Sequence, residues 1–345
     1  MMMGRELPPF LWPFSFMNAE TGQPDGFTAG LREKLSNVLC FLSYVLNRRG
    51  VRCVRDQLHE LLRKRVQQCV SHSRSSIHTC PKIEKKKESL SGRSGEIVKA
   101  QATGNVIRVG QEKEDVTPVE YRVHFKYLIK QKGIFYLEEE IEERIADFYK
   151  GVFVEDREKN PFKEIIKEEA FPTREFEEEE RYEYEYDRMK AVQYAEKWWN
   201  SYNPAYKKFE VDCTNYISQC LHVGGGPMRG YPNRGKGWWM RSGNWSYSWT
   251  VANSMRWYLP SSNSGLRAEE VSSPDQLLIG DVICYDFQGD GRFDHTTIVT
   301  GKDASGMPLV NAHTYNSRMR YWAYEDSTAY TPNIKYKFLT ITDDQ

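Results

Sequence analysis

One cysteine stands where a thiol could act as a nucleophile. Cys213 directly follows Asp212 in the stretch EVDCTNYISQCLHVGGG, residues 210–226. Aspartate is a favourable N-cap residue, because its carboxylate can accept hydrogen bonds from the free amides of a first helical turn. An apolar stripe then recurs at helical spacing (Tyr216, Ile217, Cys220 and Leu221), and Gly224 is suited to end the helix. Cys213 is therefore predicted at the first helical position, where the positive end of the helix dipole favours a reactive thiolate.

A cysteine nucleophile needs a base and a group that orients the base. Only two histidines lie after the predicted helix, His295 and His313. The segments LLIGDVICYDF, DHTTIVTG and PLVNAHTYN predict three strands, and His295 stands at the start of the second. Asn311 and His313 lie two apart on the third strand, so both face the same side and alternation cannot choose between them. An amide carbonyl can accept from an imidazole without titrating, which favours Asn311 as the orienting group.

Each of these residues also has a structural explanation. Free cysteine is among the most buried residue types, and Cys220 on the apolar stripe fits that role better than Cys213 does. His295 could be an ordinary histidine of a turn. The loop from residue 286 to residue 294 resembles the first half of a calcium-binding loop, but Thr297 stands where the bidentate glutamate is required. An ordinary hairpin turn is the better interpretation of that loop.

Composition excludes several classes of protein. Among the 345 residues, 48 basic side chains balance 48 acidic ones, so no net field favours nucleic acid or an anionic membrane. The seven cysteines form no CxxC pair, which argues against a disulfide framework and a zinc site, and we predict no cofactor. We predict no membrane span and no signal peptide, since three prolines interrupt the first 17 residues. The expected location is the cytoplasm, with export by another route left open.

Five segments follow from changes of pattern along the chain. Apolar residues at helical spacing predict a helical extension over 1–70, and a Ser- and Lys-rich stretch predicts a linker over 71–95. A period of two, clearest in VEYRVHFKYLIK, predicts a small α+β domain over 96–160, with an antiparallel sheet and a packed helix. An acidic linker is predicted over 161–186 and one further domain over 187–345, beginning with a helix capped by Asp187.

The last domain resembles a known bacterial family. The blocks AEKWWNSYNPAYKKFEVDCTNYISQCLHVGGGPM, LLIGDVICYDF, DHTTIVTG and VNAHTYN resemble, in that order, the family of putative amidase domains. That family is similar to NlpC-type and CHAP cell-wall amidases and peptidases. The resemblance implies an α+β fold with a papain-like cysteine hydrolase domain, in which an N-terminal helix carries the cysteine and an antiparallel sheet carries the histidine and asparagine.

The resemblance also implies roles for individual residues. Cys213 takes the place of the nucleophile, His295 that of the base and Asn311 that of the orienting group, with His313 as the other candidate. Tyr202 or Tyr206 takes the place of a tyrosine that helps to bind the oxyanion, and the spacing does not choose between them. Asp294, beside the predicted base, is expected to contact substrate.

A long aromatic insertion separates the predicted helix from the predicted sheet. Trp238 and Trp239, among glycines and basic residues, are predicted to line a groove for peptide or sugar, since aromatic faces stack on both. Trp249 and Trp257 lie eight apart on a helical pattern and are predicted as core. This insertion departs from the NlpC pattern, so the substrate of the relatives does not transfer directly.

The sequence thus predicts a thiol-dependent amide hydrolase that forms a thioester, and the resemblance implies a peptidoglycan-type peptide or amide as substrate. A peptide or cell-wall fragment is the expected partner, without nucleic acid or membrane, and the oligomeric state is left open. Two alternatives remain: a thiol acyltransferase on the same fold, or a glycan- or peptide-binding module that uses the Trp-rich loop. Uniform alkylation of all seven cysteines would favour the binding module.

Overall fold

The chain divides into two units in a computed structural model that describes residues 54–71, 80–159 and 183–343. Within these residues, the first unit contains 54–71, 80–88, 96–129 and 141–159, and the second contains 89–95, 130–140 and 183–343. The helical pattern predicted before residue 54 and most of the predicted acidic linker lie outside the described residues.

Two helices open the described chain. Helix α1 (Val54–Val70) buries an apolar face at helical spacing that consists of Leu58, Leu62, Val66 and Cys69. Helix α2 (Pro81–Gly92) lies inside the segment predicted as a linker. The helix has a narrow apolar side, formed by Ile83 and Leu90, which are buried two turns apart. Lysines and glutamates dominate the rest of its sequence, so the composition alone did not indicate a helix. Pro81 suits the first helical turn, where its missing N–H costs no hydrogen bond.

Four strands follow the two helices: β1 (Gly95–Val109), β2 (Val116–Gln131), β3 (Ile134–Tyr149) and β4 (Val152–Glu158). The order is β1-β2-β3, with β4 antiparallel to β3. The alternation predicted for β2 is confirmed, since one side of the strand is buried (Val119, Tyr121, Val123, Phe125, Tyr127 and Ile129). Helix α1 packs against β4. The helix on this sheet thus comes from the segment predicted as a helical extension, whereas the described elements between Gly95 and Glu158 are strands.

Charged residues lie inside the first unit as well. On β3 the buried Glu142 and Arg144 pair with each other at 2.5 Å, and Arg144 also donates to Asp156 of β4 at 2.7 Å. Lys82 of α2 donates to Glu142, and Arg65 of α1 pairs with Asp156. Mutual pairing is what allows these charges to be buried, because an isolated buried charge is strongly unfavourable.

The second unit is built on six strands in the order β11-β10-β9-β8-β12-β7. Their bounds are Arg267–Val271 for β7, Val282–Asp286 for β8, His295–Lys302 for β9, Pro308–Ala312 for β10, Ser317–Tyr321 for β11 and Lys335–Thr342 for β12. The neighbouring strands pair antiparallel, and residues 139–140 of β3 pair with β11. This confirms a mixed α+β fold with an antiparallel sheet.

Four helices accompany this sheet. They are α3 (Arg188–Trp198), α4 (Cys213–Val223), α5 (Tyr247–Thr250) and α6 (Ala252–Ser261). Helix α3 begins as predicted, because the Asp187 carboxylate accepts a hydrogen bond from the Lys190 amide at 2.9 Å. A short hairpin, β5 (Met240–Arg241) and β6 (Asn244–Trp245), lies in the insertion. No helix among the described residues is long and apolar enough to cross a membrane.

The two faces of this sheet carry different cores. The first cluster contains residues of α3, α4 and α6 together with Val282, Cys284 and Ile298 of the sheet. The second cluster contains Tyr285 and Val299, with other aromatic residues from beyond the strands. Because side chains alternate along a strand, consecutive residues of β8 and of β9 belong to different faces.

Candidate active site

Helix α4 begins at Cys213, as predicted, and its buried stripe of Tyr216, Ile217, Cys220 and Leu221 packs in the first cluster. The predicted role of Asp212 differs in one respect, because its carboxylate makes no capping hydrogen bond to the first turn. One carboxylate oxygen accepts from the Phe209 amide and from Asn215 Nδ2, both at 2.9 Å. The other oxygen lies 2.8 Å from Nδ1 of His313. Two nearby groups and one distant imidazole thus use the carboxylate that would cap the helix.

The Cys213 thiol is enclosed at the start of this helix. Its Sγ lies 3.7 Å from Thr214 Oγ1 and 3.9 Å from the carbonyl oxygen of Asp294, and only 2% of the residue is exposed. Burial raises the pKa of the thiol, and the neighbouring Asp212 carboxylate acts in the same direction. This differs from the expectation of a thiolate stabilised by the helix dipole. The resting group is a thiol, because the cost of burying a charge exceeds the dipole's contribution.

His295 begins strand β9 and lies in the aromatic cluster of the sheet. Its ring packs near those of Tyr285, Phe287 and Tyr324, and its Nε2 lies 3.3 Å from Tyr324 Oη. Burial, together with the positive charge of Arg320, lowers the pKa of His295 to about 3. The imidazole is therefore neutral near pH 7.

Thr296 is the side chain of this strand segment that faces α4. Its Oγ1 donates to Thr214 Oγ1 at 3.2 Å, on the same face as Ile298. The backbone on either side of His295 therefore lies next to the thiol, while the imidazole itself belongs to the other face. The structure thus places the main chain beside His295, rather than its imidazole, against the Cys213 thiol, which differs from the predicted contact between nucleophile and base.

Asn311, on β10, faces α3. Its Nδ2 donates to Glu196 at 2.8 Å, and its Oδ1 accepts from Thr300 Oγ1 and from the Met319 amide, each at 2.8 Å. The structure thus gives the amide of Asn311 partners other than the imidazole it is predicted to orient. The side chain beside Nε2 of His295 is a tyrosine, Tyr324, that the sequence did not indicate.

His313 lies on the helix side, beside the residue that precedes the nucleophile. Its Nδ1 lies 2.8 Å from Asp212 Oδ2 and its Nε2 lies 2.7 Å from the carbonyl oxygen of Trp198. The ring stacks on Tyr216 at 4.0 Å between centroids, and Tyr202 meets it edge-on at 5.0 Å. His313 thus ties the end of β10 to the start of α4.

Thr314 is a site residue that sequence reasoning missed. Its Oγ1 accepts hydrogen bonds from the backbone amides of both Asp212 and Cys213, at 3.1 Å each. Its backbone has φ of 77°, a left-handed conformation that a β-branched residue rarely adopts. Its position directly after His313 was the only available signal, because the amides it binds lie about a hundred residues away in the chain.

The two tyrosines proposed for the oxyanion site occupy different surroundings. Tyr202 is partly exposed and contacts His313, whereas Tyr206 stacks on the buried Trp249 at 6.2 Å. Burial raises the pKa of Tyr206. The contact with His313 places Tyr202 next to the residue that holds the helix start, whereas Tyr206 packs on the core of the insertion.

Asp294 directly precedes the predicted base, His295, in the chain. Its carbonyl oxygen contacts the thiol, and its carboxyl Oδ2 is buried without a hydrogen-bond partner among the described residues. Burial, and then the carboxylates of Asp290 and Asp286, raise the pKa of Asp294 to about 6. A carboxyl group that is half neutral near pH 6 therefore stands at the mouth of β9.

The tryptophans differ from expectation. Trp238 and Trp239, predicted to line a groove, are fully buried, whereas Trp257, predicted as core, is 42% exposed. Trp249 is buried as predicted. The indole of Trp238 donates to Ser218 Oγ at 2.9 Å and packs against Trp249, so the insertion folds onto α4 and contributes to its core.

The loop after β8 is an ordinary turn, as predicted. The Asp286 carboxylate accepts from the amides of Gly289, Asp290 and Gly291, the first at 2.7 Å. Backbone donors thus use the oxygens that a calcium ion would need. Among residues 54–71, 80–159 and 183–343, no group of three or more His, Cys, Asp or Glu side chains is arranged to hold a metal ion.

Sequence comparison identifies a matching family and two relatives of this chain. The family described as Putative amidase domain matches residues 185–339. The uncharacterized protein YhbB of Bacillus subtilis (strain 168) is 54% identical over 269 residues, which are 76% of this chain and 86% of the relative. The uncharacterized protein YjcM of the same organism is 31% identical over 140 residues, 38% of this chain and 31% of that relative. No solved structure matches the chain.

Proposed function

The chain belongs to the family described as Putative amidase domain, and on that premise we propose that its second unit hydrolyses an amide bond with Cys213 as the nucleophile. One observation carries the proposal: the thiol stands at the first residue of α4, against the backbone that leads into His295. A thiol at a helix start and an imidazole on a strand whose backbone contacts that thiol are parts that acyl transfer to cysteine requires.

The proposed reaction has two halves. The proposal requires the imidazole of His295 to turn from its present face toward the thiol when substrate binds. Cys213 Sγ then attacks the carbonyl carbon of the substrate while His295 accepts the thiol proton, and a tetrahedral oxyanion forms. The C–N bond then breaks, and the imidazolium returns the proton to the leaving amine, which leaves a thioester on Cys213. Water, deprotonated by His295, cleaves the thioester and releases the acid, so that the thiol is regenerated.

The resting protonation states fit a closed site. The thiol is un-ionised because burial raises its pKa, and the imidazole is neutral because burial lowers its pKa to about 3. Proton transfer must therefore accompany attack, and substrate must displace the surroundings that enclose Cys213. Exposure of the imidazole to water and substrate removes the desolvation that now depresses its basicity.

Two residues compete for the role of orienting group. The Tyr324 hydroxyl already lies 3.3 Å from the imidazole Nε2, which supports Tyr324. Asn311 retains the role that the family resemblance implies only if its Oδ1, which now accepts from Thr300 Oγ1, accepts from the imidazole instead when the site is occupied.

We propose a peptidoglycan-type peptide or amide as the substrate. The support is the similarity of the four sequence blocks to cell-wall amidases and peptidases. The test is incubation of the full-length chain with soluble muropeptides, followed by mass spectrometry and quantification of new amines. The Cys213→Ala variant should give no product, and the Cys220→Ala variant should retain activity. Equal product from wild type and Cys213→Ala would exclude this nucleophile, and absence of product from wild type would exclude this substrate class.

A further inference from the structure

Thr314 joins the end of β10 to the start of the nucleophile's helix through its hydroxyl. The amides of Asp212 and Cys213 both donate to its Oγ1, at 3.1 Å each. The Cys213 amide would otherwise be the natural donor to an oxyanion, because it points out of the helix start beside the thiol. In this structure the Cys213 amide instead donates its hydrogen bond to Thr314 Oγ1.

A hydroxyl group has two acceptor lone pairs and one hydrogen to donate. The two amides occupy both acceptor positions of Thr314 Oγ1. The O–H bond must then point away from the helix start, and the described residues offer it no acceptor. Since two positively polarised N–H groups pull electron density from the oxygen, this hydroxyl is a stronger donor than an isolated threonine, as in any cooperative chain of hydrogen bonds.

The position of the hydroxyl fits the chemistry of the thiol. Thr314 Oγ1 accepts a hydrogen bond from the backbone nitrogen of Cys213, the residue that bears Sγ. The hydroxyl therefore lies next to the residue that carries the thiol. The threonine is also only partly buried, unlike the enclosed Cys213 and His295. A carbonyl carbon attacked by Sγ would therefore carry its oxygen into the neighbourhood of this hydroxyl.

We propose that the Thr314 hydroxyl donates a hydrogen bond to the oxyanion that forms when Cys213 attacks a carbonyl, and so relays the polarity of two backbone amides to the substrate. This inference rests on the proposed function. The hydrogen stays on Thr314 throughout, while the C–S bond forms and the carbonyl oxygen gains and then loses its negative charge. A merely positioning role, in which Thr314 only holds the helix start, is the competing explanation.

The two explanations differ for reactions with and without an oxyanion. Acylation of Cys213 by p-nitrophenyl acetate passes through a tetrahedral oxyanion, whereas alkylation by chloroacetamide displaces chloride at carbon and forms none. Thr314→Val keeps the β-branched shape and removes the hydroxyl, and Thr314→Ser keeps the hydroxyl. The Cys213-dependent burst of p-nitrophenol measures acylation, and the mass of the Cys213 peptide measures alkylation. Cys213→Ala supplies the background.

Thr314→Val should slow acylation about 100-fold, the scale of one lost oxyanion donor, with little change in alkylation. Thr314→Ser should stay near wild type in both reactions. Equal slowing of both reactions, or no slowing of either, would overturn the donor role while leaving Cys213 as nucleophile. If wild type itself shows no Cys213-dependent burst, the proposed nucleophile fails and this inference fails with it. Should the valine variant not fold, judged by circular dichroism, Thr314→Ala takes its place in the same comparison.

Discussion

His313 and Asp212 form a buried hydrogen-bonded pair directly before the nucleophile. Nδ1 of the imidazole lies 2.8 Å from the carboxylate, and Nε2 lies 2.7 Å from the carbonyl oxygen of Trp198. A backbone carbonyl oxygen can only accept, so Nε2 donates to Trp198, and Nδ1 faces the Asp212 carboxylate. The pair fixes the entry into α4 from the strand side, and its two members are 101 residues apart in the chain.

The first prediction compares His313 with Asn311. His313→Ala leaves the Asp212 carboxylate buried without its partner, so we expect a loss of about 3–5 kcal/mol in the free energy of unfolding. Asn311→Ala leaves Glu196 paired with Arg318 at 2.6 Å, and the expected loss is smaller, about 1–3 kcal/mol. Urea unfolding of both variants measures the difference.

Activity separates the roles of the same two residues. His313→Gln retains one N–H donor and should recover part of the stability and of the amidase rate that His313→Ala loses. A tenfold or larger fall in kcat for Asn311→Ala, measured where the variant is still fully folded, would instead support Asn311 as the residue that orients the base, about the scale expected of a misplaced base.

The second prediction separates the two cysteines of α4. Cys213→Ala should abolish amidase activity and leave a folded protein, because the contacts of Sγ with Thr214 Oγ1 and with the Asp294 carbonyl oxygen are long, at 3.7 and 3.9 Å. Cys220→Ala, in the centre of the first cluster, should lower stability by about 1 kcal/mol and spare activity. The measurements are amide cleavage and thermal unfolding of each variant. Equal activity of the two variants would contradict the assignment.

Local patterns in the sequence predicted the elements whose structure depends on residues close together in the chain. The alternation of β2 and the apolar stripe of α4 were confirmed, because strand and helix periods depend only on nearby residues. Helix α2 was missed, because lysines and glutamates dominate its composition and only two apolar residues reach the interior.

The site was predicted less completely because its contacts are distant in sequence. Asp212 looked like a local helix cap, but His313 and Asn215 use its carboxylate. Thr314 gave no signal of its own, since its partners lie on another element. The faces of β9 could be predicted from alternation, but which face meets α4 depends on tertiary packing, and it is Thr296 that does so.

The third prediction concerns the tryptophans of the insertion. Trp238→Ala removes a fully buried indole and leaves Ser218 without its donor, so we expect a loss of about 3–5 kcal/mol in stability. Trp257 is partly exposed and stacks with Arg256 at 3.6 Å, so Trp257→Ala should cost less than about 1 kcal/mol. Chemical denaturation tests both. A small effect at Trp238 would revive the interpretation of that residue as part of an open groove.

The fourth prediction is a dependence of stability on pH that arises from His295. Its pKa is about 3 in the folded protein, because burial and Arg320 disfavour the imidazolium, and about 6.5 in an unfolded chain. Between these values the unfolded chain binds a proton that the folded chain does not. The free energy of unfolding should therefore fall as the pH is lowered from about 6.5 towards 3, with a slope of about 1.4 kcal/mol per pH unit from this residue.

His295→Gln isolates this contribution, because it removes the titrating group and keeps a polar side chain. Asp294 acts in the opposite direction: its pKa is raised to about 6, so the folded protein binds a proton that the unfolded chain does not until about pH 4. For that reason the wild-type curve alone is insufficient, and the difference between wild type and His295→Gln is the quantity to measure. Urea unfolding should be measured at about pH 4, 5, 6 and 7, since a single group titrates over about this range. The difference in free energy of unfolding between wild type and His295→Gln should grow as the pH falls. A constant difference across this range would mean that the folded protein already accommodates the imidazolium, and that His295 is not desolvated in solution.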